Sequence, residues 1–372
     1  MSRENVKPVL FATGHAPAYR IGGLRLLHEQ EGIELALFGG RSKHGGPGFE
    51  QQMPFPHRHL APRELSALAA SGAYRAVVCP TGGRFAPLAA WRGARRARVP
   101  LILWASLWAH PRSLAHAFTY LPLRRLYRRA DAVVTYGPHV SAYVQARGAR
   151  NVHVAPQAVD NDFWGSPEVQ PPHEPSWPGA AGVRFLFVGR PEPEKGLAVL
   201  ADAWRGAELD PSQAALVLAG IDPSLAPIAP AGPRRQGDAG MIGLGTLAPR
   251  ELRDVYAACD VLVLPSIATR TFREPWGLVI NEAMNRGLPV IASDAVGAAA
   301  GGLVRDGVNG LVVPAGESDA LAHAILRLSE DRQLRARLGA QAAQDVGAYT
   351  YAAWADGFSA ALASLELSRG RW

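Results

Sequence analysis

The feature that most constrains this chain is residues 272–293, which read as a loop, a helix, a stop and a strand. Pro275 disfavours a helical residue before it, and apolar residues recur with helical spacing from Gly277 onward. A glycine and a proline then end the helix. Because strands are predicted at 260–266 and 290–292, the sequence predicts a β–loop–α–β unit whose helix begins beyond the carboxyl end of a strand.

The start of this helix suits a phosphate group. The amides of Gly277, Leu278 and Val279 have no acceptor within the helix, and the helix dipole adds partial positive charge there. Glu274 lies just before the helix and Glu282 about a turn and a half inside it. Carboxylates bind phosphate poorly but accept hydrogen bonds from hydroxyls, so the pattern indicates a nucleotide-diphosphate sugar. The alternative is that both glutamates are merely solvated charges.

The same stretch resembles the donor-site signature of glycosyltransferase family 4, the retaining enzymes with the GT-B fold. In that family two glutamates bracket an aromatic-Gly-hydrophobic turn, and a Glu-Ala-Met and a Gly-x-Pro-Val-Ile-Ala-Ser segment follow. The matching residues here are Glu274, Trp276-Gly277-Leu278, Glu282-Ala283-Met284 and 287–293. The resemblance implies that Glu274 contacts the donor sugar near its anomeric carbon, that Glu282 contacts the ribose, and that the turn at Trp276, Gly277 and Leu278 binds the donor.

A second motif follows a predicted strand at 183–188 and opens a helix at 197–207. It contains Arg190 and Lys195, which resemble the two cations that hold the donor diphosphate in the family. The alternative is an ordinary turn between strand and helix with solvated charges. Since cations and helix amides can neutralise a diphosphate leaving group, we predict no metal and no cofactor. Asp160-Asn161-Asp162 fits a metal-binding Asp-x-Asp pattern, but it resembles a structural turn of the family.

Strands and helices alternate along the whole chain, which predicts parallel sheets covered by helices on both faces. The resemblance implies an α/β GT-B protein with two Rossmann-like domains facing a central cleft. The proline-rich stretch 170–179 reads as a stiff connector. We therefore predict an acceptor-binding domain over 1–169, a donor-binding domain over 181–348 and a C-terminal helix over 349–372 that returns to the first domain.

Several residues of the first domain are further candidates for the active site. The resemblance places a family histidine near the transferred sugar, and His110, in a loop after the strand at 101–104, is the matching residue. Gly22 and Gly23 end a predicted loop over 13–23 and resemble a glycine loop that approaches the diphosphate; a hinge is the alternative. The loops at 13–23 and 41–56 are assigned to the acceptor. Other candidate histidines are His15, His44, His57 and His59.

Composition narrows the possible environments and partners. The net charge is +7, and arginines cluster at 92–98 and at 124–129. These clusters are either solvated helix faces or surfaces that attract an anionic donor, an anionic acceptor or an anionic membrane. The basic runs lack interleaved aromatic residues, so no nucleic-acid partner is predicted. Two cysteines, no secretory segment and no long apolar run favour a cytoplasmic protein, with peripheral contact at the inner face of a membrane through basic helices as an extension.

We therefore predict a metal-independent, retaining glycosyltransferase that moves a hexosyl group from a UDP- or GDP-sugar to an acceptor hydroxyl. Glu274 and His110 are its predicted catalytic residues. Two alternatives are a sugar-nucleotide epimerase with the same fold and a non-catalytic protein that binds sugar nucleotides. The sequence identifies neither the sugar, the base, the acceptor nor the oligomeric state.

Overall fold

The structure is a computed structural model, which describes residues 6–39, 53–83, 85–168, 182–222 and 240–367. The chain forms two compact units, Met1–Asp160 with Tyr349–Trp372, and Asn161–Ala348. Three predicted features lie outside the described residues: the proline-rich connector at 170–179, most of the loop at 41–56, and His44 within that loop. The predicted domain boundary, between residues 169 and 181, lies outside them as well.

The first unit is a parallel sheet covered by helices. Its strands, as far as the chain is described, are β1 (Val9–Thr13), β2 (Ile33–Leu37), β3 (His57–His59), β4 (Ala76–Pro80), β5 (Leu101–Ala105), β6 (Ala132–Thr135) and β7 (Val152–Val154). Its helices are α1 (Ala18–Glu31), α2 (Leu65–Ala69), α3 (Ala86–Ala97), α4 (Leu114–Arg129), α5 (Pro138–Gln145) and the C-terminal α13 (Tyr351–Ala363). The strand order is β3-β2-β1-β4-β5-β6-β7.

The central strands are continuous apolar runs because both faces of the sheet are covered. One face packs Phe11 and Trp104 against Trp354 and Phe358 of α13, and a separate core covers the opposite face. The ring centroids of Phe11 and Phe358 are 5.3 Å apart. The C-terminal helix therefore completes the core of the first unit, as the fold prediction required.

The second unit repeats this architecture. Its strands, within the described ranges, are β8 (Val183–Val188), β9 (Ala214–Ala219), β10 (Met241–Gly245), β11 (Val261–Leu264), β12 (Val290–Ser293) and β13 (Gly310–Val313). Its helices are α6 (Asn161–Gly165), α7 (Leu197–Gly206), α8 (Pro249–Ala257), α9 (Leu278–Met284), α10 (Gly297–Ala300), α11 (Ser318–Glu330) and α12 (Arg332–Val346), with a 3-10 turn at Pro193–Lys195. The parallel strands run in the order β10-β9-β8-β11-β12-β13.

Each sheet has one place where the direction of strand progression reverses. In the first unit it lies between β1 and β4, and in the second between β8 and β11. Ligands of such sheets bind outside the carboxyl ends of the strands at this switch point, because the adjacent loops diverge there and leave a crevice. A binding site is therefore expected at the loops that follow these four strands.

In the part of the chain that the structure describes, no helix is long and apolar enough to cross a bilayer.

Candidate functional site

The two sequence motifs of the second unit meet at its switch point. Strands β8 and β11 are hydrogen-bonded neighbours, with Phe185 paired to Val261. The loop after β8 carries the 3-10 turn that ends at Lys195, and the loop after β11 carries Glu274. Parallel neighbours end at the same edge of a sheet, so sequence-distant loops become adjacent there.

Lys195 and Glu274 form an ion pair at this edge. Nζ of Lys195 donates a hydrogen bond to Oε2 of Glu274 at 2.5 Å. The side chains are 20% and 10% exposed respectively, so the pair is largely withdrawn from water. Ser266 adds a longer contact, its Oγ lying 3.4 Å from the same Oε2. The structure thus brings together one cation and one carboxylate that we predicted to bind neighbouring parts of one ligand.

The backbone of the Lys195 loop is fixed directly on the end of β11. Gly196 has a left-handed φ of +71°, and a Cβ added there would stand 2.0 Å from the carbonyl oxygen of Pro265. In addition, the amide of Ile267 donates to the carbonyl of Glu194 at 2.9 Å. A side chain at residue 196 would push the two loops apart, so this glycine is needed for the ion pair to form.

The Glu274 loop is anchored on its other side by the segment that begins α10. The amide of Gly297 donates to the carbonyl of Glu274 at 3.1 Å, and that of Ala298 donates to the carbonyl of Trp276 at 2.8 Å. A Cβ on Gly297 would lie 1.9 Å from the carbonyl oxygen of Pro275. The loop is therefore preorganised by backbone contacts on both sides.

Trp276, which we predicted to bind the donor, has its side chain in the protein interior. It is 3% exposed, and its Nε1 donates to Oδ1 of the buried Asn281 at 2.8 Å. This bond ties the loop to α9 across the turn at Gly277. The indole of Trp276 therefore stabilises the conformation of the loop. Contact between the donor and the backbone of Trp276 stays a prediction.

Gly277 begins α9 in a conformation that requires glycine. Its φ is +96°, and a Cβ there would lie 2.7 Å from Cδ2 of Leu264. No side chain caps the helix, and the amides of Leu278 and Val279 precede its first backbone hydrogen bond, which runs from the amide of Ile280 to the carbonyl of Gly277 at 3.0 Å. The helix is seven residues long, about two turns, and its first residue follows directly on the Glu274 loop.

Glu282 lies inside α9 and is partly buried. Its Oε2 accepts a hydrogen bond from Oη of the fully buried Tyr256 at 2.8 Å. Burial raises the pKa of Glu282 to about 7, and the hydrogen bond from Tyr256 lowers that pKa in part. The same surroundings raise the pKa of Tyr256 well above its usual range, so this phenol stays a donor.

The remaining predicted cation is more loosely held. Arg190 is exposed, and its Nη1 lies 3.4 Å from Oε1 of Glu192. An exposed pair of this kind contributes little to stability, because water screens both charges. Arg190 therefore keeps its freedom to turn toward an anion, and its predicted contact with a diphosphate stays a prediction.

His110 belongs to the first unit, in the loop after β5. Its Nε2 lies 2.9 Å from the carbonyl oxygen of His116 and must donate to it. In the neutral ring Nδ1 is then an acceptor, and this buried atom has no hydrogen-bond partner among the described residues. Tyr120 packs edge-on at 5.0 Å between centroids. The predicted contact with the sugar stays a prediction.

The prediction of a loop over 13–23 was wrong, because α1 begins at Ala18. Gly22 and Gly23 lie inside this helix where α13 packs against it. A Cβ on Gly22 would lie 2.3 Å from Cε2 of Tyr351, and one on Gly23 would lie 2.8 Å from Cε3 of Trp354. Packing explains both glycines, so their predicted contact with a diphosphate stays a prediction without support from this arrangement.

Three residues that contact the predicted site residues were not predicted from the sequence: Tyr256, Ser266 and Asn281. Asn281 lies between the two glutamates of the motif, and a polar residue on the apolar face of α9 was the signal available for it. Tyr256 and Ser266 carry no comparable local pattern. Their roles depend on how α8 and β11 pack against α9.

The Asp-x-Asp pattern at residues 160–162 is distant in sequence from Lys195 and Glu274, and it lies at the start of the short helix α6. Asp162 lies in the first turn of α6, and the side chains of Asp160 and Asp162 are both exposed. Trp164 packs edge-on against Tyr256, with centroids 5.6 Å apart. Within the described residues, no three His, Cys, Asp or Glu side chains are grouped closely enough to hold a metal ion.

The second unit is similar in sequence to known glycosyltransferases. Residues 182–331 match the family model described as Glycosyl transferases group 1. The D-inositol 3-phosphate glycosyltransferase of Streptomyces griseus is 34% identical over 235 residues, which are 53% of this chain and 45% of that protein. The phosphatidyl-myo-inositol mannosyltransferase of Mycobacterium leprae is 36% identical over 177 residues, 46% of this chain and 43% of that protein. Each alignment thus spans less than half of the relative's length.

Solved structures extend the likeness to both units. Anabaena HepE in complex with UDP superposes with a TM-score of 0.72 at 21% identity, over 96% of this chain and 100% of that one. Sucrose-phosphate synthase from Thermosynechococcus elongatus superposes with a TM-score of 0.72 at 21% sequence identity, over 97% of this chain and 99% of that one. At this identity the likeness shows the fold. The chain therefore has the GT-B fold, and residues 182–331 form a glycosyl transferases group 1 domain.

Proposed function

We propose that this protein is a retaining glycosyltransferase that moves a hexosyl group from a UDP- or GDP-sugar to an acceptor hydroxyl. The observation that carries the proposal is the ion pair between Lys195 and Glu274 at the switch point of the second unit, beside the start of α9. A cation, a carboxylate and free helix amides at one edge match a ligand with phosphate and hydroxyl groups side by side. Solved relatives of this fold include one bound to UDP-glucose, which favours the same donor class.

Each residue of the site has a distinct proposed role. Lys195, Arg190 and the amides at Gly277 and Leu278 hold the diphosphate, while Glu274 accepts hydrogen bonds from the hydroxyls of the donor sugar. Glu282, held by Tyr256, accepts hydrogen bonds from the ribose. His110 supports the sugar from the first unit. These are the positions that the family resemblance marks.

The proposed reaction places the acceptor on the same face of the sugar as the leaving diphosphate. The acceptor oxygen bonds to the anomeric carbon as the bond from that carbon to the phosphate oxygen breaks. The proton of the acceptor hydroxyl passes to the departing phosphate. Charge that develops on the diphosphate is neutralised by Lys195, Arg190 and the helix amides. We therefore propose that turnover needs no metal, and that EDTA leaves the rate unchanged.

Release of nucleotide diphosphate tests the proposal. The full-length protein is incubated with UDP-glucose or GDP-mannose, with broken-cell extract as the acceptor source. We expect acceptor-dependent release that falls about a hundredfold or more in Lys195→Ala and Glu274→Ala, since charge-stabilising groups of an active site contribute on this scale. The exposed Glu330, at the end of α11, supplies a control variant, Glu330→Ala, that should keep the full rate. Unchanged rates in both site variants would refute the assignment.

The same assay separates the two alternatives. An epimerase would convert the donor to another sugar nucleotide without any acceptor. A non-catalytic binding protein would bind UDP or GDP, raising its melting temperature, but would never release nucleotide diphosphate from the donor. Either outcome would replace the transferase proposal.

We also propose that the first unit contacts an anionic membrane surface. Phe118 and Leu121, on the outer face of α4, are 83% and 67% exposed. The same helix and α3 carry exposed arginines: Arg92, Arg95, Arg96, Arg124, Arg125, Arg128 and Arg129. Arg95 and Arg129 both lie over the ring of Trp91, at 5.5 Å and 5.6 Å, so the two basic clusters form one surface. Apolar side chains within a basic surface are typical of helices that lie on anionic bilayers.

Sedimentation with vesicles tests this location. Binding to phosphatidylglycerol-containing vesicles should exceed binding to phosphatidylcholine vesicles and should weaken in high salt. Phe118→Ala combined with Leu121→Ala should reduce it. Val308→Ala is the matched control, because Val308 is an exposed apolar residue of the second unit. Equal binding to both vesicle types, or loss in the control, would contradict the proposal.

A further inference from the structure

A cavity of the first unit lies at the edge of the sheet opposite to the switch point. Its volume is about 320 Å³, at the lower end of the range of small-molecule sites. Pro100 and Leu101, where β5 begins, and Asp131, just before β6, contribute to its wall. Parallel strands begin at one edge of a sheet and end at the other, so this cavity is separate from the loops that follow the carboxyl ends.

Three arginines line this cavity. Arg95 belongs to the last turn of α3, Arg98 ends that helix, and Arg129 belongs to the last turn of α4. Among the described residues of the wall, Asp131 is the one carboxylate. The wall therefore carries three positive charges and one negative charge, which is a surplus of two positive charges.

The carboxylate of Asp131 has a structural role. Its Oδ2 accepts a hydrogen bond from the amide of Leu101 at 2.8 Å, which ties the start of β6 to the start of β5. Nδ2 of Asn151 donates to the carbonyl oxygen of Asp131 at 3.2 Å and fixes the same segment from the side of β7. These contacts account for the one acidic residue in an otherwise basic wall.

Trp91 brings two of the arginines together. It is a half-buried residue of α3 that lines the cavity, and the guanidinium carbons of Arg95 and Arg129 lie 5.5 Å and 5.6 Å from its ring centroid. Cation–π attraction of this kind restricts the rotation of long side chains. Two like charges from different helices are therefore held near one ring, an arrangement that a bound anion stabilises.

Arg98 has a backbone conformation that usually belongs to glycine. Its φ is +55°, and its amide donates to the carbonyl of Arg95 at 3.3 Å where α3 ends. Cations at the ends of helices complement the helix dipole, which accounts for Arg95 and Arg129. It does not account for Arg98, because glycine would end the helix with less strain. A strained residue whose side chain lines a cavity is typical of a functional site.

We infer that this cavity binds a phosphate monoester, with Arg95, Arg98 and Arg129 around the phosphate oxygens. A phosphate monoester carries about two negative charges at neutral pH, which matches the surplus of the wall, whereas a phosphodiester carries one. A planar guanidinium can hold two phosphate oxygens at once. The site lies away from the candidate donor site, so the inference does not depend on the transferase function.

Two sources can supply this phosphate, a soluble molecule or a lipid headgroup. The cavity lies within the basic surface for which we propose membrane contact. Arg129 lies eleven residues beyond the exposed Phe118 on α4, which is about three turns, so both side chains project from the same face of the helix. If the source is a lipid, the inference rests on the proposed membrane contact and adds the chemistry of the headgroup.

Two binding measurements on the full-length protein test the inference and separate the sources. Calorimetric titration compares glycerol 3-phosphate, a monoester, with dimethyl phosphate, a diester. Sedimentation compares vesicles that contain phosphatidic acid with vesicles that contain phosphatidylglycerol, adjusted to the same surface charge. We expect the monoester to bind about tenfold tighter than the diester in at least one of the two measurements, as for an added charge-assisted hydrogen bond.

Variants of the wall locate the monoester preference. Arg98→Gly should abolish it while the melting temperature stays the same or rises, because glycine adopts a φ of +55° without strain. Arg129→Gln is a second variant that should also abolish it. Arg92→Gln is the matched control, since Arg92 is an exposed arginine of α3 outside the lining of the cavity, and it should keep the preference. Lys195→Ala should keep it as well.

The outcomes distinguish this inference from the proposals made above. A preference for glycerol 3-phosphate alone identifies a soluble ligand, and a preference for phosphatidic acid identifies a lipid. Equal binding of monoester and diester in both measurements would overturn the inference, while the membrane contact would stand if phosphatidylglycerol still exceeds phosphatidylcholine. A preference that survives both Arg98→Gly and Arg129→Gln, or that disappears in Lys195→Ala, would place the phosphate elsewhere and overturn the inference too.

Discussion

Oε2 of Glu274 accepts a hydrogen bond from Nζ of Lys195 at 2.5 Å, although the two residues are 79 positions apart. In the ligand-free protein these groups neutralise each other. Under the proposed function, a diphosphate that pairs with Lys195 shares or displaces this contact, and donor hydroxyls then satisfy Glu274. The ion pair thus fixes the positions of both side chains relative to the ends of β8 and β11.

The first prediction concerns the energetic coupling of this pair. Lys195→Ala should lower the free energy of unfolding by about 2 kcal/mol, because it leaves the largely buried carboxylate of Glu274 without its cation. Adding Glu274→Gln should recover most of that loss, since it removes the negative charge that Lys195 compensated. Urea denaturation of the two single variants and the double variant measures the coupling. Strictly additive effects would show that the pair contributes nothing to stability.

A second prediction follows from the raised pKa of Glu282. The folded protein binds a proton at this carboxyl that the unfolded chain releases near pH 4.5, so the stabilisation is complete below pH 4.5 and is lost as pH rises through about 7. Relative to Glu282→Gln, the wild-type protein should lose about 3 kcal/mol of unfolding free energy over this interval. Donor affinity should rise over the same interval, because the carboxylate accepts hydroxyl hydrogen bonds better than the neutral acid.

Tyr256→Phe is the control for this pH dependence. The hydrogen bond from Tyr256 lowers the pKa of Glu282, so its removal should move the midpoint of the stability profile to higher pH. It should also cost about 1 kcal/mol, as loss of a buried hydrogen bond does. A midpoint that does not move would mean that the phenol does not act on the carboxyl.

A third prediction tests the glycine at the start of α9. Gly277 and Gly302 have similar left-handed φ angles, +96° and +87°, but only Gly277 is crowded, with Leu264 at 2.7 Å from its Cβ position. Gly302→Ala should cost about 1 kcal/mol for backbone conformation alone. Gly277→Ala should cost at least about twice as much, because overpacking adds to the same backbone term, and it should reduce donor turnover. Equal costs would show that the loop tolerates a side chain.

A fourth prediction separates packing from ligand binding at Gly22 and Gly23. Gly23→Ala should lower the free energy of unfolding by about 1–3 kcal/mol, because its Cβ meets the ring of the buried Trp354. Trp354→Phe, with a smaller ring, should restore part of that stability in the double variant. UDP affinity of the folded fraction should not change. A stable Gly23→Ala protein with weakened UDP binding would support the glycine-loop role that the sequence suggested.

Local sequence patterns predicted many of the strands correctly. The strands at 183–188 and 76–80 were predicted with their observed bounds, because parallel strands buried on both faces are unbroken apolar runs between turn residues. The prediction that a C-terminal helix returns to the first unit came from family resemblance and is confirmed. Strand β3 (His57–His59) was missed, since it is a short exposed edge strand with no apolar signal.

The chain itself determined which residues form the candidate donor site, because Glu274, Gly277 and Glu282 lie within one continuous motif and Lys195 lies in another. Only the tertiary structure decided which groups meet: Lys195 with Glu274, Tyr256 with Glu282, and Trp354 with Gly23. The physical reason is that spacing along a strand or helix fixes the direction of a side chain over a few residues. Its partner, its burial and its charge balance depend on parallel strands and helices brought together from distant parts of the sequence.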